Sequence, residues 1–281
     1  MTANPLVSTD WLAERLGDPR LKVLDATWLM PGEPGDPKAA FEAGHIPGAR
    51  FFDIDEVADR STDLPHMAPS PEQFAEQIGA MGIGEKDVIV AYDQIGLRSA
   101  PRAWWTFRLF GAEEVYVLDG GLPLWRAEGR PLETGPAAPI EPATFAPRFR
   151  PELVRDVEQV RAGIEHRAQL LDARSAARFG GEAPEPRAGL RSGHIPGSFN
   201  LPFGELIEAG RLKSPEQLEA RFEASGVDLN KPITTSCGSG LTAAILALGL
   251  ARLGRWDTPV YDGSWSEWGG RSDTPVVTGD A

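Results

Sequence analysis

The chain repeats itself. Gly44-His45-Ile46-Pro47-Gly48 returns as Gly193-His194-Ile195-Pro196-Gly197, an offset of 149. Upstream, Leu24-Asp25-Ala26 returns as Leu171-Asp172-Ala173 at an offset of 147. Downstream, Leu118-Asp119-Gly120-Gly121 with Trp125 matches Tyr261-Asp262-Gly263-Ser264 with Trp268 at an offset of 143. Three short matches in one order, at a nearly constant offset, imply a tandem duplication with small insertions and deletions. Any fold for this chain must therefore be a fold for half of it, built twice. Between the copies, prolines stand at 131, 136, 139, 142, 147 and 151. Proline at that density suits neither a helix nor a central strand, so an extended connector is expected. The expected division is a first domain over 1–133, a Pro-rich linker over 134–151 and a second domain over 152–281.

Each copy reads as alternating strand and helix. Lys22 to Ala26, Gln169 to Ala173, Val115 to Leu118 and Pro259 to Tyr261 are short strand-like runs. Asp87 to Tyr92 is a continuous apolar run, as in a strand buried on both faces. Ser99 to Phe110 and Leu241 to Leu253 are apolar-rich and helix-like. The alternation predicts an α/β fold in each copy, a mainly parallel sheet with helices on both faces. Ligands of such sheets sit beyond the carboxyl ends of the strands.

Composition narrows the function classes. Of 281 residues, 41% are hydrophobic and 25% charged, which is globular. A net charge of −13 argues against non-specific binding to nucleic acid or an anionic membrane. A local pocket of opposite sign could still take an anionic substrate. The N-terminal stretch has no basic start followed by an apolar core, so no secretory leader is expected. No apolar run reaches the roughly 18 residues of a membrane span. Leu241 to Leu250 is expected to be a buried helix instead. The single cysteine cannot form an intrachain disulfide, which fits a reducing, cytoplasmic setting. One cysteine and four scattered histidines show no metal-site spacing. No metal and no cofactor are expected.

That cysteine, Cys237, follows the strand-like run Pro232 to Ser236 and precedes Gly238-Ser239-Gly240 and a helix. Glycines let a tight loop turn its N–H groups inward as an anion cradle, and a helix N-terminus adds more. Such a site favours a thiolate, or an anion carried on the sulfur. A lone cysteine elsewhere would read as a small inert hydrophobe, but an inert cysteine needs no such loop. The first copy has Asp93 at the equivalent position, with Gly96-Leu97 matching Gly240-Leu241. It keeps the loop without the nucleophile, so one copy is expected to act and the other to support it.

With these residues the chain resembles the rhodanese superfamily of sulfurtransferases, in particular its tandem-domain 3-mercaptopyruvate branch. The likeness rests on both GHIPG segments, both DG segments, the Pro-rich connector and the loop CGSGLT, and so spans almost the whole chain. Thiosulfate-using members usually carry basic residues within the loop, whereas Gly238, Ser239, Gly240, Leu241 and Thr242 are neutral here. The resemblance implies that Cys237 carries the sulfur as a persulfide, with Gly238, Gly240, Leu241 and Thr242 around it. It implies that Arg178 and Arg187 hold the carboxylate and ketone of 3-mercaptopyruvate, for which guanidinium forks are suited. It also implies a proton relay of Asp55, His66 and Ser239, with the first two supplied by the N-terminal copy. The implied sulfur acceptor is cyanide, a small thiol or a thioredoxin-like protein. His45 and His194, inside the repeated turns, are read as structural. A cysteine phosphatase would need an arginine closing the loop, where Leu241, Thr242 and Ala243 stand. Thiosulfate sulfur transfer, and a non-catalytic binding module on the same fold, remain the alternatives.

Overall fold

The computed structural model describes residues 4–279. Two compact units are present. The first comprises Met1–Asp59, Ala68–Arg150 and Ala209–Leu212, the second Arg60–Met67, Pro151–Glu208 and Lys213–Ala281. Each holds a five-stranded sheet. In the first the order is Leu6–Val7, Val115–Leu118, Val88–Tyr92, Leu21–Asp25, Arg50–Phe51. In the second it is Val154–Arg155, Val260–Tyr261, Ile233–Ser236, Gln169–Asp172, Phe199–Asn200. Every pairing within these two sheets is parallel. The order is the same in both, so the duplication is one of topology as well as of letters.

The strands predicted from apolar runs appear within a residue or two of their expected bounds. The reason is burial on both faces, which makes a parallel strand an unbroken apolar run. Helices cover those faces. All residues of Ala100–Leu109 are buried, as are all but the last of Ala243–Arg252. Residues 243–250 are apolar on every side and so need cover on every side, whereas Ala100–Leu109 also buries Arg102 and Arg108, whose guanidiniums lie over the Trp105 and Trp104 rings. Among the described residues, no helix is long and apolar enough to cross a membrane.

Two further helices, Pro71–Ala80 and Pro215–Ala224, form a fourth repeat that the sequence reading missed. Each begins with Ser-Pro-Glu-Gln, at Ser70 and Ser214. In each, the serine side chain accepts from the glutamine backbone N–H and the glutamine side chain accepts from the serine N–H. This reciprocal cap fixes the helix start, with proline at the first position where its missing N–H costs nothing. Phe74 and Ile78 face the first core, Leu218 and Phe222 the second.

The repeated GHIPG turns have one local design. His45 stacks on Phe41 at 3.9 Å, and His194 on Phe179 at 3.8 Å. Their Nδ1 atoms lie 2.8 and 2.9 Å from the Phe41 and Phe179 carbonyl oxygens. Both rings are buried within their own turns, as a structural role requires.

The Pro-rich segment is extended but not loose. Residues 136–150 contain no helix or strand, yet they are fastened along the first unit. Ala143 N–H donates to Gly79 O, Arg148 N–H to Phe110 O and Arg150 N–H to Leu109 O, all at 2.8–2.9 Å. Phe145 is buried edge-on against Phe74 and Phe107. At Gly111 (φ +91°) a Cβ would lie 2.7 Å from the Arg148 Cβ, so the strap runs close enough to require glycine beneath it. The segment is thus extended and fastened to the unit below it. Backbone bonds that proline density removes within the segment are replaced by bonds to the unit below.

The capping boxes yield a stability prediction. Ser70→Ala and Ser214→Ala should each cost about 1 kcal/mol, and the double variant the sum, because the sites share no partner. Urea unfolding curves would test this, and unchanged midpoints would remove the caps from the account.

Candidate active site

The strand Ile233–Ser236 ends at Cys237, which is buried with 1% of its surface exposed. The next turn leads into Ala243–Arg252 and passes through Gly240 at φ +76°, a left-handed conformation that glycine adopts without strain. The first turn of Ser264–Trp268 holds this loop from one side. Trp265 N–H donates to Cys237 O at 2.9 Å, and Ser266 N–H and Oγ both donate to Gly238 O, at 2.8 and 2.7 Å. In a trans peptide the C=O and the following N–H point in opposite directions. Fixing these two carbonyls toward Ser264–Trp268 therefore turns the Gly238 and Ser239 N–H groups away from it.

The first unit shows what such a loop holds. The Asp93 carboxylate occupies the equivalent position and is fully buried. One oxygen accepts from Ile95 N–H at 3.0 Å and Gly96 N–H at 2.8 Å. The other accepts from the N–H groups of Arg98, Ser99 and Ala100, at 2.7, 2.9 and 3.0 Å. Leu122 N–H donates to Asp93 O, as Trp265 N–H does to Cys237 O. Five amides converging on one carboxylate make this backbone an anion cradle by direct observation. Asp93 therefore marks more than the absence of a nucleophile: its carboxyl group fills the loop.

The arginines implied by the resemblance lie in the second unit. Arg178, on Ala176–Gly180, directs Nη2 to within 3.0 Å of where a Cβ on Gly238 would stand. A loop neutral in its own residues thus has a cation beside it, contributed by another segment. This is one reason position 238 is glycine. Arg178 is itself held, its Nη2 donating to Glu185 Oε2 at 2.5 Å and its Nε to Oε1 at 3.3 Å. Glu185 also accepts from Arg174 Nη1 at 2.8 Å. Arg174 in turn donates from Nε and Nη2 to Asp172, at 2.9 and 2.7 Å, and from Nη2 to Gly193 O at 3.0 Å. Its guanidinium carbon lies 4.2 Å from the Trp265 ring centroid. Burial opposes the Arg174 charge, but Asp172 and Glu185 more than offset this and hold its pKa above the usual value. Asp172, Arg174 and Glu185 were not singled out from sequence. The only visible signal was their place in Asp172-Ala173-Arg174 and Pro184-Glu185-Pro186-Arg187, next to motifs that were.

Arg187 meets His66, with Nη2 3.3 Å from Nε2. A guanidinium only donates, so in this contact Nε2 is the acceptor. His66 is buried at φ +62°, a costly backbone for a non-glycine residue. Its segment, Arg60–Met67, precedes the second copy in sequence but belongs to the second unit. Ser239 is buried in the same unit. Asp55 belongs to the first unit, where its Oδ2 accepts from Trp28 Nε1 at 3.0 Å. Leu241 is buried and Thr242 half-buried at the start of the helix after the loop. Among the described residues, no three His, Cys, Asp or Glu side chains gather as metal ligands would.

The buried ion network gives a second prediction. Arg174→Met keeps volume but strands the Asp172 carboxylate and leaves Glu185 with Arg178 alone, so it should cost about 3–5 kcal/mol of stability. Urea unfolding of the variant would measure the loss, and a cost below about 1 kcal/mol would mean that the network is solvated.

Comparison with known proteins agrees with this architecture. The rhodanese-like domain model matches residues 8–128 and again 156–271. The thiosulfate/3-mercaptopyruvate sulfurtransferase 1, mitochondrial, of Arabidopsis thaliana is 47% identical, covering 98% of this chain and 78% of that protein. The 3-mercaptopyruvate sulfurtransferase of Escherichia coli K12 is 47% identical, covering 98% of this chain and 99% of that one. A crystal structure of a 3-mercaptopyruvate sulfotransferase from Escherichia coli superposes with a TM-score of 0.86 at 43% identity, covering 93% of this chain and 99% of that chain. With two matches to the domain model and near-full-length relatives at this identity, the chain belongs to the rhodanese-like domain family.

Proposed function

We propose that the protein is a sulfurtransferase that takes sulfur from 3-mercaptopyruvate onto Cys237 and passes it to a thiol or cyanide. The observation that carries this reading is the cradle. A loop built to surround an anion is filled by a carboxylate in one copy and headed by the only cysteine in the other.

In the first half-reaction the Cys237 thiolate attacks the donor sulfur. The S–S bond forms as the S–C bond breaks, and the bonding pair leaves on carbon as pyruvate enolate. The outer sulfur keeps its proton, and the enolate takes another to become pyruvate. The persulfide then loses its proton and rests among the loop amides. In the second half-reaction an acceptor attacks the outer sulfur and releases the Cys237 thiolate, giving a ping-pong order. Ser239 and His66, with Asp55, are the proposed relay that supplies and removes these protons.

Charge favours 3-mercaptopyruvate as donor. Two buried carboxylates, Asp172 and Glu185, balance the guanidiniums of Arg174 and Arg178, and Arg187 adds a third cation. One net positive charge suits a donor with a single carboxylate, set apart from its sulfur. Thiosulfate, a dianion charged next to its reactive sulfur, would profit from more. It remains the second reading because the Arabidopsis relative is named for both donors.

Cys237→Ser should retain the fold and abolish turnover. Intact-mass measurement after donor treatment should find one added sulfur on the wild type and none on the variant. Turnover by the variant would sink the mechanism. Arg187→Ala should lower kcat/KM for 3-mercaptopyruvate about 10- to 150-fold, the worth of one charge-assisted pair. Arg178→Ala should lose more, because it also leaves Glu185 half-paired beside the loop. Kinetics with both donors decide the assignment: a wild-type preference for thiosulfate would overturn it in favour of the second reading.

A further inference from the structure

Ser264 is one of four non-glycine residues with positive φ among those described, at φ +48°. It is fully buried. Its hydroxyl donates to Tyr261 O at 2.7 Å and accepts from the backbone N–H groups of Cys237 and Gly240, at 3.1 and 3.0 Å. One donor and two lone pairs are the full capacity of a serine hydroxyl. Its proton goes to Tyr261, so the oxygen faces the two ends of the cysteine turn as an acceptor, with the Ser236 hydroxyl a longer 3.5 Å away.

The first unit solves the same problem differently. The Gly96 N–H, equivalent to that of Gly240, donates to the Asp93 carboxylate. The residue equivalent to Ser264 is Gly121, at φ +54°. A Cβ there would lie 2.5 Å from Asp93 O and 2.6 Å from Gly96 O, so no side chain fits. Where the loop carries a carboxylate, the helix after it carries glycine. Where it carries a thiol, a serine oxygen takes the amide that the carboxylate would have taken. Both copies share this left-handed turn, which glycine adopts freely in the first and a serine occupies at a cost in the second, so the hydroxyl is gained against a backbone penalty.

We propose that Ser264 is a positioning residue for sulfur transfer: its hydroxyl holds the Cys237 and Gly240 amides so that the rest of the loop stays shaped around the sulfur. The proposal rests on the reading of Cys237 as the sulfur carrier. Without the hydroxyl, two buried amides lose their acceptor and the turn is free to rotate them toward other partners. The sulfur site then loses its preset shape, which weakens the stabilisation of thiolate and persulfide alike.

The test compares Ser264→Gly with Ser264→Ala in the full-length protein. Glycine removes the hydroxyl and also relieves the backbone, as Gly121 does in the first copy; alanine removes the hydroxyl and keeps the strain. Both variants should lower kcat about 10- to 100-fold with KM for 3-mercaptopyruvate changed less than about threefold, the range expected for losing two buried hydrogen bonds. The pH midpoint of Cys237 alkylation by iodoacetamide should move up in both. Ser264→Gly should still melt in one cooperative transition, and at a higher temperature than Ser264→Ala, which separates the effect from misfolding. Wild-type kcat together with an unmoved alkylation midpoint in Ser264→Gly would overturn the proposal. The alkylation readout needs no donor. If the wild type used neither donor, the sulfurtransferase reading would fail while the midpoint shift still tested Ser264.

Discussion

Everything in this molecule turns on peptide N–H groups that need an anion. A strand ends, the chain makes a tight glycine-containing turn, and a helix begins. Donors from the turn and from the first helical turn are left facing inward. Buried donors must be satisfied. In the first copy a carboxylate satisfies five of them. In the second copy a serine hydroxyl takes two, and the cysteine stands where the carboxylate would be. The same backbone thus serves as a keystone in one unit and as a reactive site in the other, and the difference is carried by side chains at two positions.

Around that backbone the charges are arranged against the average of the chain. The protein carries −13 overall, yet three arginines lie within one short stretch of the second unit, at 174, 178 and 187. They are not a loose basic patch. Arg174 is buried between two carboxylates and serves as a rigid core; Arg178 is fastened to that core and aimed past Gly238. Long side chains are costly to order, and an ion network that orders one in advance lowers the cost of using it for binding. Glu185 therefore sets the direction of Arg178 as well as part of its charge.

Much of the fold was legible in the letters. The repeats announced two copies, and strands buried on both faces betrayed themselves as apolar runs. Cys237 could be read because a strand, a nucleophile and glycines are neighbours in sequence. What escaped reading was long-range or reciprocal. The pairing of Arg178 with Glu185 has no local signature, and the Ser264 hydroxyl reaches the loop across 27 residues. The grouping of His66 with the second unit follows from packing alone. The Ser-Pro-Glu-Gln caps were legible and overlooked, since their pattern is local and appears twice.

The Asp93–Gly121 pair has an evolutionary consequence. A single change to cysteine at 93 would remove five charge-assisted bonds from a buried turn and supply a sulfur with no hydroxyl behind it. A second change, at 121, would drive a Cβ against two carbonyl oxygens. Neither step is tolerable before the other, and both together require the turn to move. The first copy is thus held in its silent state by a ratchet of its own packing.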